Sequence, residues 1–279
     1  LLTVMPPASQ AGERAENALR AAQPREALRA LEECVRASPG RTESRIRLLQ
    51  VLCILGEWDR ARTQIALLPD LDRAEGDLIL GASTFAALVE AECERAEVFA
   101  GRRTPRILGE PAAWMALQSE AVRLLAVGDI EAAARAIREV RNSAEATPGR
   151  LDGQAFAWIA DADPRFGPLL EVFVERQHFW VPFAHLRRVE IAAPADLQDR
   201  VWLGTELQLK TGTSLQGYIP VRYPGSHSDE NGGVQMAAVS DWREVGSGLS
   251  LGMGQRLVMT DTTESPLFRV RRIELDPTA

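Results

Sequence analysis

With 279 residues, 46% of them hydrophobic and 25% charged, the chain has the length for two domains and the apolar content for a real core, which excludes disorder as its dominant state. A net charge of -7 excludes a general nucleic-acid binder, because neutralising phosphates needs a clustered positive surface. Cys34, Cys53 and Cys93 form no CxxC and fall in helical patterns, so they read as reduced, buried thiols, not as disulfides or a zinc site.

Leu1 to Pro7 has no basic region leading into an apolar stretch, and no apolar run reaches the roughly 20 residues of a bilayer span. The expectation is a cytoplasmic protein without membrane insertion. Lys210 is the only lysine, and arginine carries the rest of the positive charge, which reads as a compositional bias of the source.

Up to Thr147 the chain is rich in Ala, Leu, Arg and Glu, the strongest helix formers. Ala27 and Ala61 lie 34 residues apart, the tetratricopeptide period. In the first unit Ala27, Leu31 and Cys34 share one helix face, and Pro39 stops the helix. In the second, Leu48, Leu49 and Leu52 fill the first helix, Gly56 and Trp58 the turn, and Ala61, Ile65 and Leu68 the second helix. A third unit repeats the grammar with Leu117, Ala121 and Leu124, then Gly128-Asp129-Ile130, then Ala133, Ile137 and Val140. A small side chain at each crossing lets two helices approach closely, and a turn glycine takes the left-handed conformation between them. Between these units, Glu75 to Phe99, with Leu78, Phe85, Leu88, Val89 and Val98, predicts a degenerate helix pair.

Thr147-Pro148-Gly149-Arg150 carries turn residues, and beyond it Val, Ile, Trp, Phe, Thr and Gly take over. The domains expected are therefore 1-150, a tetratricopeptide-like helical array, and 151-279, a small, mostly antiparallel β domain, giving an α+β multidomain chain. A hairpin is predicted around Glu175-Arg176-Gln177, a strand over Trp202 to Leu209, a turn at Thr211-Gly212, and a strand through Leu215, Gly217, Ile219 and Val221. A helical turn near Ala195 to Arg200 and strands over Arg256 to Met259 and Leu267 to Leu275 complete it, the last with a bulge near Arg271-Arg272. Phe156, Trp158 and Ile159 are expected to cap the open end of the helical array.

Several fragments imitate catalytic motifs without their context. Lys210-Thr211-Gly212 lacks the serine three residues before a lysine that acyl-enzyme chemistry needs, so it reads as a turn. Gly246 to Gly254 has no GK[ST] and reads as a glycine-rich loop between strands, with Gln255-Arg256 exposed beside it. Asp161 and Asp163 lack the later ligands of a calcium loop and read as capping or turn residues. His178, His185 and His227 are isolated, and no metal site or cofactor is expected. Arg222-Tyr223, followed by a polar stretch at 227–233 that reads as a mobile loop, is a candidate contact surface; packing of Tyr223 into a corner is the competing reading.

Asp161-Ala162-Asp163 through Gly167-Pro168, Glu171-Val172-Phe173, Trp180-Val181-Pro182-Phe183, Ile219-Pro220, Arg222 through Ser226, Gly252 through Arg256 and Val270 through Leu275 occur in an order and spacing that resembles the ImpE family (also called TagJ or SciE), accessory proteins of bacterial type VI secretion. The resemblance implies an adaptor of the contractile sheath, with a TssB-like small sheath subunit and a ClpV-like recycling ATPase as partners. It carries over no catalytic residue.

The expectation is a non-enzymatic adaptor. Its partner would lie on the first helices of the repeats, against Ile46, Gln50 and Cys53 in the second unit and Met115, Gln118 and Val122 in the third; the competing reading is that these residues pack against the helices of 75–99. The competing expectation is a ligand-sensing or hydrolytic module whose site is assembled from Arg222, Tyr223, His227 and Asp241.

Overall fold

The computed structural model describes residues 10–71 and 76–275, and the side chains of these except 69–71 and 76–80. The expectations placed on Leu1 to Pro7, on Glu75 and on the Leu78 side chain lie outside the described residues.

The first half is helical: α1 (Gln10–Arg20), α2 (Pro24–Ala37), α3 (Thr42–Ile54), α4 (Trp58–Leu71), α5 (Gly76–Phe99), α6 (Ala113–Ala126) and α7 (Ile130–Ser143). From α1 to α5 each helix packs on the next, and α6 packs on α7. Ala27, Ala61 and Ala133 are all fully buried, as close helix crossings require. Gly56 at φ +68° and Gly128 at φ +82° follow α3 and α6 in the left-handed region. Asp129 then caps α7 by accepting from the Ala132 N–H at 3.1 Å. The predicted helix pair over 75–99 is instead one helix, α5. Its sequence from Ala82 to Phe99 is free of glycine and proline, so nothing breaks it.

α3 is unlike its neighbours. Every residue from Arg47 to Leu55 is buried, whereas α2 and α7 keep a charged outer face. A helix buried on all sides needs a second layer over it, and the β half supplies that layer.

The strands are β1 (Arg106–Ile107), β2 (Gly149–Leu151), β3 (Gln154–Phe156), β4 (Ile159–Asp161), β5 (Leu169–Val174), β6 (Gln177–Pro182), β7 (Leu186–Ile191), β8 (Trp202–Leu209), β9 (Ser214–Pro220), β10 (Ser240–Gly246), β11 (Leu249–Gly254), β12 (Leu257–Thr260), β13 (Glu264–Pro266) and β14 (Arg272–Leu275). Nine of them form one sheet in the order β1-β6-β5-β9-β8-β7-β14-β2-β3. Its neighbours are antiparallel except β1 with β6. β1 leaves the helical half to extend this sheet, which the composition shift at residue 150 concealed. β13-β12-β4 and the hairpin β10-β11 make two smaller sheets. The hairpin of β5 and β6 turns at Glu175, as the sequence predicts.

Four expectations are corrected. Gly252 and Gly254 lie inside β11, because the β10-β11 turn is made by Ser247 and Gly248, both at positive φ. The stretch at 227–233 is not a loop without structure: it holds a 3-10 turn at Ser226–Ser228 and the start of a short helix, α8 (Gly232–Gln235), capped by Asn231. Leu267–Arg269 is a 3-10 turn, and only Arg272–Leu275 is strand. The buried Leu267 and Val270 are spaced by three, which a 3-10 turn satisfies, whereas the buried Ile273 and Leu275 are spaced by two, as in a strand. Phe156 and Ile159 belong to the β core, and of the three residues expected to cap the array only Trp158 and Ile159 come near its end, lining a cleft with Ile137 and Val140 of α7.

The cap comes from elsewhere. Phe173, Leu197, Val201, Trp202 and Met236 join Leu48 to Leu55 and Phe85 in one core. The helical turn Leu197–Arg200, predicted from sequence, is what lies on α3.

Candidate functional site

The seam between the halves holds a buried network of charges. Glu171 is fully buried in β5 and is flanked by Leu170, Val172 and Phe173. A carboxylate in such a setting needs matched donors. Arg95 of α5 supplies two, its Nε and Nη2 donating to the two Glu171 oxygens at 3.0 and 2.9 Å. Arg256 Nη1 donates at 2.9 Å, and the His178 ring Nε2 lies 2.7 Å from the other oxygen. Burial alone would raise the Glu171 carboxyl. Arg95 foremost, then His178 and Arg256, outweigh it and hold the group well below the usual carboxylate range.

The network runs on in both directions. Arg256 Nε and Nη2 donate to Asp161 Oδ2 at 2.9 and 2.7 Å, and the guanidinium lies over the Phe166 ring, 4.3 Å from its centroid. Burial pushes the Asp161 carboxyl up, against the pull of Arg256. Asp163 accepts from Arg165 Nη2 at 2.6 Å and from the Gly252 N–H at 2.7 Å. On the helical side, Glu92 accepts from the Trp202 indole at 3.0 Å. Both aspartates also accept from backbone N–H groups two residues on, the turn role read from sequence, but their main partners are arginines.

Arg222, a predicted contact residue, is buried and donates to the Ile54 carbonyl at 2.5 Å, the Cys53 carbonyl at 3.2 Å and the Gln235 carbonyl at 2.6 Å. It thereby takes up the Ile54 carbonyl at the C-terminus of α3 and adds to the Cys53 carbonyl, which also accepts from the Gly56 N–H. Burial lowers its guanidinium to about 10, with Glu92 opposing. Tyr223 packs against Gly252, where an added Cβ would overlap its ring, and its hydroxyl accepts from the Leu257 N–H at 3.0 Å. Neither side chain is open to a partner. Gly252→Ala is expected to cost about 1–3 kcal/mol by overpacking, read as a lowered denaturant midpoint with an unchanged slope.

His227 stacks edge-on to Trp58 and fills the space beside Gly56, and burial lowers its pKa. Asp241 is exposed on β10 and accepts from the Trp242 N–H. Of the four residues expected to assemble a reactive site, Arg222, Tyr223 and His227 are therefore committed to packing, and Asp241 points to solvent.

The expected partner face on the repeats is also corrected. Gln50 donates to Asp196 Oδ2 at 2.8 Å, Arg47 reaches the same carboxylate at 3.2 Å, and Cys53 is fully buried. Ile46 packs half-buried against the same core. Gln118 donates to the Pro164 and Arg165 carbonyls at 2.9 and 2.8 Å. Met115 and Val122 pack with Val98, Leu169 and Trp180. These residues face inward, and the chain's own β half together with α5 packs on them. Gln255 and Arg256, expected to be exposed, are buried as well. Sequence reasoning quoted Glu171 only for the resemblance, gave it no structural role, and passed over Arg95. The available signal was a lone charge inside an apolar strand run, and an arginine on the buried face that carries Ala91 and Val98.

The ImpE protein family matches residues 153–274, and the tetratricopeptide repeat family matches residues 18–80. The type VI secretion system accessory component TagJ of Pseudomonas aeruginosa is 39% identical over 264 residues, covering 95% of this chain and 92% of that protein. The chain belongs to the ImpE family. A crystal structure from Vibrio parahaemolyticus shares the ImpE-family chain's fold with a TM-score of 0.86 at 23% identity, covering 94% of this chain and 97% of the other. Asp161, Asp163, Glu171, Arg222, Gly252 and Arg256, which carried the resemblance in sequence, meet in the structure at the seam. Among the described residues, no helix is long and apolar enough to cross a membrane.

Proposed function

We propose that this accessory component of a type VI secretion system is a non-catalytic adaptor that binds a TssB-like small sheath subunit and assists sheath assembly or ClpV-dependent recycling. The observation that supports this reading is the use of the polar interior. Arg95 and Arg222 tie α5 and the C-terminal end of α3 to the β half across the seam, while Asp163 and Tyr223 brace the β half behind them. A chain tied in this way presents outer surfaces to a partner, as repeat proteins do. The test is a pull-down with purified sheath subunit, read alongside hydrolase and nucleotide-turnover assays. Binding at about micromolar strength with background turnover is the expected result. Turnover that vanishes on changing His227 or Asp241, with folding intact, would overturn the non-catalytic reading.

A further inference from the structure

α5 covers only part of the nine-stranded sheet. Beside it lies an open groove of about 940 Å³, walled by Ala87 and Leu88 of α5 and floored by β7, β8 and β9. Two cross-strand rows make the floor. Ala192, whose N–H bonds the Gly204 carbonyl, lies beside Gly204, which pairs with Tyr218. One step along the same face, Glu190 pairs with Glu206, and Glu206 with Gln216.

Gly204 has no internal explanation. Its φ is not among the positive ones, and a Cβ there would meet nothing nearer than the Ala192 methyl at 3.8 Å. The fold would accept a side chain at this site, and a strand gains from one. A bare glycine in mid-strand is one of the places where another backbone can approach closely, and among the described residues none arrives.

The charge around the groove is one-sided. Glu190 is paired with Arg272 at 2.8 Å and with Arg188 at 3.5 Å, and Arg176 is paired with Glu90 at 3.3 Å. Glu206 and Glu175 are exposed and have no cationic partner among the described residues. The positive side chains nearby are thus already committed, and two carboxylates are left facing solvent across a small-residue floor.

We propose that this groove binds a cationic peptide segment of a protein partner, its backbone passing over Gly204 and its Lys or Arg side chains reaching Glu206 and Glu175. That the ligand belongs to a protein rests on the adaptor reading. The charge preference rests on the groove alone.

The test uses the full chain and two synthetic amphipathic peptides, one of Leu and Lys and one of Leu and Glu, followed by fluorescence anisotropy. The Leu/Lys peptide binds, weakens as salt is raised, and loses roughly tenfold or more in affinity with Glu206→Lys and with Gly204→Trp. Should Gly204→Trp fail to fold, Glu206→Lys and Glu175→Lys, both at exposed sites, carry the test. Equal binding of the Leu/Glu peptide, no binding of either, or unchanged affinity in the charge-reversed variants overturns the proposal. The same variants are then assayed against the sheath subunit. Wild-type binding that Glu206→Lys leaves intact removes this groove as the sheath contact and spares the adaptor reading. Absence of wild-type binding sinks the adaptor reading, while the peptide arm still decides the groove.

Discussion

Glu171→Gln should destabilise the chain by about 3–5 kcal/mol, because it leaves two buried guanidinium groups without their shared counter-charge. For a chain of this size that is a fall of roughly 6–20 °C in melting temperature. The amide is nearly isosteric, so the loss reports charge and not packing. The pH dependence checks this. A carboxyl held below its unfolded value contributes stability above that value, about pH 4.3, and loses it as pH falls through the depressed folded value. The gap between wild type and variant is therefore full at neutral pH and narrows below about pH 4. Asp161, pushed up by burial, works with the opposite sign: its ionisation costs stability as pH rises. Melting curves of both proteins between pH 7 and pH 3 separate the two. A gap that stays constant with pH would assign the effect to lost packing.

What the sequence disclosed follows from how local each signal is. The helix pairs around Ala27, Ala61 and Ala133 and the hairpin at Glu175 depend on residues within one or two turns of each other, so period and turn chemistry found them. The 3-10 turn at Leu267 was misread because one buried run passes from spacing three to spacing two within a few residues. The seam was invisible for a stronger reason. Arg95 and Glu171 are 76 positions apart, and Arg222 and Ile54 are 168 apart. No window joins them, and an arginine on an apolar helix face looks the same whether its partner is a carboxylate of this chain or of another. That ambiguity also explains Gln50 and Gln118. Both sit on the inward face that the repeat period assigned, and both bond to the β half in place of an external helix.

Residues 1-149 expressed alone are expected to be unfolded or aggregated at 25 °C, although they contain every helix of the array. α3 is the reason. Its solvent side in such a fragment would expose Leu48 to Leu55 where Phe173, Leu197, Val201, Trp202 and Met236 now lie. Burying side chains of this kind is worth about 1.5–3 kcal/mol each, so the five together contribute on the order of 8–15 kcal/mol. That matches the whole net stability of a typical domain, about 5–15 kcal/mol. The polar ties fail at the same time. Arg95 and Glu92 would lose Glu171 and Trp202, and the Cys53 and Ile54 carbonyls would lose Arg222. The measurement is circular dichroism and sedimentation of the fragment beside the full chain. Adding back residues 150-279 in trans should restore helicity if the seam supplies the missing layer. A fragment that melts cooperatively at the temperature of the intact protein would show that α1 to α7 hold themselves together, and that the seam joins two independent domains.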